Sequence, residues 1–337
     1  MDYILNKENE IYYECGWSSD NALFLSAGDR RYVITDGRYI LEAKQNAKAD
    51  VIEAKDLIKK ARELILKHRV KRLHIDPTNY SKKDYESLKK IANLIDIPFF
   101  SFKKRIRKSK NELNLIKEAA KEGALAFREF SKMIEDGVDE FELSFRFKEV
   151  LTKRGKRELS FEPIVAINEN AALPHARVSN KVLKKGDLLL LDAGIKHKRY
   201  CSDRTRTLFV GDNVSMSKTQ KFTNKEIQKV YDIVKKAQEK AIKAVRVGVR
   251  AKDLDKIARD VIESAGFGRY FVHSLGHGVG LDIHEFPFIN SKNETRIEEG
   301  MVFTIEPGIY IPNAFGVRIE DMVIIEDGKV KVLSEEV

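Results

Sequence analysis

The chain is poor in cysteine: only Cys15 and Cys201 among 337 residues carry thiols, and neither lies in a CxxC pair. A disulfide framework is excluded, and both are expected to be buried small hydrophobes rather than nucleophiles. Long apolar runs are also missing, none approaching the ~18 residues a membrane span needs. The opening MDYILNKENE lacks the basic-then-apolar order of a signal peptide, so a cytoplasmic protein with no membrane partner is expected.

Several common site signatures fail as well. Gly276, Gly278 and Gly280 do not match GxGxxG, so a dinucleotide loop is unsupported. His284-Glu285 is followed by Phe286, Pro287 and Phe288; HExxH is therefore absent, and the proline would break the helix that motif needs. Those three glycines are expected instead to let backbone approach a metal centre closely. The net charge is +10, with basic clusters at Lys103 to Lys110 and at Lys153, Arg154, Lys156 and Arg157. No aromatics interleave them and no binding motif accompanies them, so a solvated linker is the better reading and no nucleic-acid partner is expected.

What is present is enough for two globular domains, with 42% hydrophobic and 34% charged residues. In the first, ALFLSA and RYVITD read as strands around a Gly28-Asp29 turn. LHIDP and IPFFSF read as further strands, and Asp56 to Lys67 and Lys82 to Leu94 have helical spacing. This predicts a small α/β domain over residues 1–107, followed by a second domain over 108–337.

The second domain repeats itself. Ser109 with Glu112 forms a capping-box signature, and Thr223 with Glu226 does the same 114 residues later. Gly137-Val138 precedes a helix ending at Gly155, and Gly248-Val249 precedes one ending at Gly266, an offset of 111. In the latter, Leu254, Ile257, Ala258, Val261, Ile262 and Ala265 form one apolar stripe, read as core. Each half then closes in a hairpin.

The first hairpin, Gly186 to Gly211, has a fully apolar strand, Leu188 to Leu191, as expected of a strand buried on both faces. A turn at His197-Lys198 would set Asp192 directly opposite Asp203, two like charges ~5 Å apart that a cation must neutralise. The second hairpin, Met301 to Ile325, carries Glu306 and Glu320, offset by 114 and 117 from that pair. Between the hairpins lie His273, His277 and His284, three of only seven histidines. Four carboxylates and one imidazole would suit two divalent cations; such pairs sit ~3.5 to 4 Å apart and activate water. An oxygen-rich set favours Mn²⁺ or a similarly hard ion, with Co²⁺, Fe²⁺ and Zn²⁺ as the other candidates.

LDAG at Asp192, SDRTRT at Asp203, GHGVG at His277, EPGIY at Glu306 and RIED at Glu320 resemble, in order and spacing, the five ligand motifs of the pita-bread metallopeptidases. TDGRY at Thr35 to Tyr39 resembles a motif of the creatinase and prolidase type N-terminal domain, and FEPIVAINENAALPHA resembles the stretch holding the family's first active-site histidine, here His175. The resemblance implies an α/β N-terminal domain followed by an α+β pita-bread domain with a pseudo-two-fold internal repeat. It also implies that Asp192 binds the first metal, that Asp203 and Glu320 bridge both, and that His277 and Glu306 hold the second. A bridging hydroxide would attack the carbonyl preceding proline while Glu306 carries a proton to the imide nitrogen. His175 and His284 would position the substrate, with His273 and Arg318 supporting the ligands or lining the pocket. A homodimer is implied too.

Prolidases that cut free dipeptides usually carry an arginine four residues after the second active-site histidine. Counting from His284, this chain has Phe288. The expectation is therefore an Xaa-Pro aminopeptidase acting on longer peptides, with an Xaa-Pro dipeptidase as the alternative if Arg177 or Arg318 supplies the missing contact. A methionine aminopeptidase would lack the extra domain. A non-catalytic pita-bread module would have lost ligands, and none is lost.

Overall fold

The computed structural model describes residues 1–333. The chain divides into two compact units, Met1–Lys104 and Arg105–Val337.

The first unit contains β1 (Tyr3–Leu5), α1 (Glu8–Cys15), β2 (Ala22–Ala27), β3 (Arg30–Thr35), α2 (Ile40–Asn46), β4 (Asp50–Glu53), α3 (Leu57–Lys67), β5 (Arg72–Ile75), α4 (Lys82–Lys89), β6 (Asn93–Asp96) and α5 (Phe100–Arg105). Its strands form one mixed sheet in the order β4-β3-β2-β1-β5-β6. Gly28, with φ +61°, lets the β2-β3 hairpin turn where expected. Asp56 caps α3 by accepting from the Lys59 N–H at 2.9 Å.

Two expectations in this unit need correction. The helix read over Lys82 to Leu94 stops at Lys89, because Asn93–Asp96 pairs in parallel with Arg72–Ile75 and a ladder partner outweighs helical spacing. The strand read at IPFFSF is instead helix α5. Phe99 turns the chain with φ +57° while its N–H donates to Asp76 Oδ2 at 2.6 Å, and Phe100 then packs on Tyr3 with ring centroids 5.2 Å apart.

The second unit begins with α6 (Lys110–Ser131) and α7 (Glu140–Thr152). The capping box forms as expected, the Ser109 N–H donating to Glu112 Oε2 at 2.8 Å. Next come β7 (Glu158–Leu159), β8 (Ile164–Ile167), β9 (Leu188–Ala193), β10 (Ile195–His197), β11 (Tyr200–Cys201) and β12 (Arg204–Phe209). The second half supplies α8 (Lys225–Ala244), α9 (Ala251–Ser264), β13 (Gly276–Gly278), β14 (Glu285–Ile289), β15 (Val302–Ile305), β16 (Gly308–Ile311), β17 (Phe315–Arg318), β18 (Asp321–Glu326) and β19 (Lys329–Val332). Helix α8 is capped by Asn224, whose Oδ1 accepts from Glu226 and Ile227, rather than by Thr223. Asparagine is the better cap and sits one residue nearer the helix.

Strand β9 shows why an all-apolar run was needed. Leu189 and Leu191 enter the core formed with α6 and α7, whereas Leu188 and Leu190 enter the core formed with α8 and α9. Alternation places successive side chains on opposite faces, so each core takes two leucines from one strand. The central strands form the sheets β12-β9-β8 and β14-β13-β15-β18-β19, and each half thus pairs two helices with one long hairpin. On α9, Leu254, Ala258 and Ile262 are buried, while Ile257, Val261 and Ala265 are only partly so. No helix among the described residues is long and apolar enough to cross a membrane.

Candidate metal centre and active site

Both hairpins are interrupted at the same place, where one ladder ends and a second begins. Asp192 lies near the end of β9 and Asp203 just before β12; Glu306 follows β15 and Glu320 precedes β18. His277 is the middle residue of β13, which borders β15. In the second hairpin Ile305 pairs with Asp321 and Gly308 with Arg318, so the register sets Glu306 opposite Glu320.

The first hairpin differs from expectation. Its turn is Lys198-Arg199, both in left-handed conformation with φ +47° and +74°, so Asp192 faces Thr205 rather than Asp203. Moving the turn by one residue moves the facing partner by two. Asp203 therefore stays on the same face as Asp192, diagonally across from it.

The histidine's backbone setting prepares it as a ligand. His277 Nδ1 lies 3.1 Å from the Gly278 carbonyl, and its Nε2 faces Glu306 Oε1 at 3.2 Å and Asp203 Oδ2 at 3.6 Å. An N–H held at Nδ1 leaves Nε2 as the ligand atom. The nearby glycines serve a different purpose from the one expected. A Cβ at Gly276 would lie 2.0 Å from the Thr304 carbonyl oxygen, one at Gly278 2.2 Å from that of Phe286, and one at Gly280 2.5 Å from Glu285 Oε1. The close approach is to neighbouring strand and the Glu285 side chain, not to the carboxylate centre.

Asp192, Asp203, His277 and Glu320 are buried and Glu306 is half-buried. Burial, reinforced by the neighbouring carboxylates, pushes Asp203 and Glu320 well above the usual range. Burial also raises Asp192, though the Arg318 charge opposes it. Glu306 runs the other way: burial is outweighed by the His277 hydrogen bond and charge, which hold it at about 2. Desolvation lowers His277, but the hydrogen bond it donates to Glu306 prevails and raises it.

Such a set fits a cation. Asp203, His277 and Glu320 each bring a ligand atom within 4.8 Å of the others. Among the described residues, Asp192 Oδ1 and Asp203 Oδ1 are buried with no hydrogen-bond partner. Buried oxygens left bare are costly unless an ion takes them up.

Around the carboxylates lies a cavity of about 770 Å³. Its wall includes His175, His273, His284 and Arg318 as well as Asp192, Asp203, His277, Glu306 and Glu320, so all nine residues singled out in the sequence meet there. Desolvation, with the His277 charge, lowers His284 to about 4, leaving it a neutral imidazole at neutral pH. His273 Nε2 is 2.9 Å from the Tyr310 hydroxyl. The Arg318 guanidinium donates to Asp192 Oδ2 at 2.5 Å, Tyr310 Oη at 2.8 Å, Pro174 O at 3.1 Å and Thr205 Oγ1 at 3.1 Å.

Three supporting residues escaped the sequence reading. The Thr205 hydroxyl donates to Glu320 Oε2 at 2.7 Å, the Thr304 hydroxyl to Glu306 Oε1 at 3.0 Å, and Tyr310 links Arg318 to His273. Thr205 and Tyr310 lie inside quoted motifs, which was the available signal. Cys201, beside this region, is buried with its thiol pushed up to about 12 by desolvation, and Cys15 is buried too, as expected of hydrophobes.

Two pseudo-symmetric hairpins presenting clustered carboxylates define the pita-bread class of metallopeptidase. A model of metallopeptidase family M24 matches residues 114–327, and the chain belongs to that family. An Xaa-Pro dipeptidase of Pyrococcus furiosus is 37% identical over 349 residues, covering 98% of this chain and 92% of the relative. An uncharacterized peptidase of Staphylococcus epidermidis is 41% identical over 228 residues, 68% of this chain, and this chain spans 62% of that relative's length. Among solved structures, an Xaa-Pro dipeptidase from Bacillus anthracis matches with a TM-score of 0.90 and 31% identity, covering 99% of this chain and 92% of that one. An X-Pro aminopeptidase from Thermotoga maritima matches with a TM-score of 0.87 and 32% identity, covering 99% and 95%.

Proposed function

We propose that this chain is an Xaa-Pro dipeptidase, a hydrolase that cuts the peptide bond preceding proline. The observation carrying the peptidase reading is the convergence of four carboxylates, His277 and three further histidines on one cavity. The near full-length likeness to the Pyrococcus furiosus dipeptidase supports dipeptides over the longer substrates expected from the sequence. The aminopeptidase reading rests on Phe288, which lines the cavity at the position where the family resemblance implies an arginine for free dipeptides.

Asp192 would hold one divalent ion, Asp203 and Glu320 would be shared, and His277 with Glu306 would hold a second. Two such ions, Mn²⁺ suiting the donor set best, supply Lewis acidity and lower the pKa of a water. Glu306, kept ionised beside His277 and Thr304, takes up a proton and carries it to the departing imide nitrogen. His284, neutral and on the cavity wall, donates to the oxyanion that develops at the scissile carbonyl, with His175 beside the substrate. Tyr310 holds Arg318, which in turn fixes Asp192.

The test compares metal-reconstituted enzyme on an Xaa-Pro dipeptide and an Xaa-Pro-Xaa tripeptide. Preference for the dipeptide is expected. Preference for the tripeptide would restore the aminopeptidase reading, and hydrolysis of neither would end both.

A further inference from the structure

We infer that Arg177 binds the C-terminal carboxylate of the substrate, and that this contact, rather than one from Arg318, sets the preference for free dipeptides. The inference rests on the peptidase reading above and adds the residue that measures substrate length.

An Xaa-Pro dipeptide ends in a carboxylate one residue past the scissile bond. Its anionic end must enter a cavity already lined by Asp192, Asp203, Glu306 and Glu320. Two divalent ions would balance those four carboxylates, so the substrate's anionic end, stripped of water on entering, needs a cationic partner of its own. Among the described residues lining the cavity, Arg177 and Arg318 are the two with permanent positive charge.

Arg318 is already committed. Four of its five N–H donors go to Asp192, Tyr310, Pro174 and Thr205, and the side chain is buried. Turning it toward a substrate would break those four bonds inside a buried setting. Arg177 is the opposite case. It is exposed, it stands two residues beyond His175 on the same wall, and its guanidinium makes no hydrogen bond or ion pair among the described residues. Only its backbone carbonyl is engaged, accepting from Asn170 Nδ2 at 2.9 Å. The one other acid on the wall, Glu162, is bonded to Lys148. A guanidinium fork free on both donor edges suits a planar carboxylate. Phe161, Pro163, Ile283 and Phe288 supply apolar wall for the proline ring.

The experiment compares an Xaa-Pro dipeptide with its C-terminal amide, in wild type, Arg177→Ala and Arg177→Lys, all with metal restored. Wild type should favour the free acid. Arg177→Ala should lose roughly 10- to 100-fold in kcat/KM on the acid, mostly through KM, with the amide unchanged, as expected for one charge-assisted pair. Arg177→Lys should recover part of the loss, since lysine offers a charge without the fork. Calorimetry with a hydrolysis-resistant Xaa-Pro analogue should show the same ordering in Kd. If Arg177→Ala keeps the preference for the acid, or wild type has none, the assignment is overturned while the peptidase reading survives. If wild type hydrolyses neither substrate, the peptidase reading fails and takes the assignment with it.

Discussion

Thr205 lies directly across the sheet from Asp192 and gives its hydroxyl to Glu320, so one side chain ties the first half of the repeat to the second. Valine has nearly the same shape without the hydroxyl. Thr205→Val should therefore leave the fold intact and weaken metal binding roughly 10- to 100-fold, the usual effect of removing a group that orients a ligand. Calorimetric titration with Mn²⁺ checks this.

Metal should also matter more as pH rises. Asp203 and Glu320 have raised pKa values in the metal-free fold, so the fold holds protons that the unfolded chain releases at ordinary carboxylate pH. Their effect on stability is absent in acid and becomes a cost as pH climbs from about 4 through the raised values. The gain in Tm on adding metal should therefore grow between pH 5 and pH 8. A gain that is flat or shrinks over that range would contradict the clustered-carboxylate account.

A buried ion cluster lies next to His284. Lys108 Nζ is 2.7 Å from Glu285 Oε1, and Arg105 reaches Glu285 at 3.4 Å and also pairs with Asp282. Glu285→Ala would strand the Lys108 ammonium in the interior, a loss of about 3 to 5 kcal/mol for breaking a buried pair. Glu285→Ala with Lys108→Met should cost less than the sum of the two single changes. Urea unfolding of the four proteins measures it.

At the acid end, Glu326 is held at about 2 by hydrogen bonds from Lys117 and Lys331. A lowered carboxylate contributes stability above its unfolded value of about 4.3 and loses it as pH falls toward 2. Lys117→Met should lower Tm at pH 7, and the difference from wild type should close between pH 4 and pH 2.

The sequence revealed the centre because its chemistry constrains residue types one position at a time. Asp192, Asp203, His277, Glu306 and Glu320 each sit in a short motif, and the repeat offsets placed the four carboxylates in matching hairpins. What it hid depended on pairing. The turn at Lys198-Arg199 uses two non-glycine residues with positive φ, which nothing local announces. Ile91 and Leu94 continue a helical pattern, yet Asn93–Asp96 becomes a strand because β5 offers it an edge. Thr304, already bonded to Glu306 two residues on, reaches His277 only once β13 and β15 lie side by side.

The most direct test counts metal ions and turnover together, in wild type and in Asp203→Ala and Glu320→Ala. The account predicts two divalent ions per wild-type chain and Xaa-Pro hydrolysis that chelation removes, with both properties lost in either variant. Unchanged metal content in the variants, or hydrolysis that persists in them, would contradict a centre shared between the two halves.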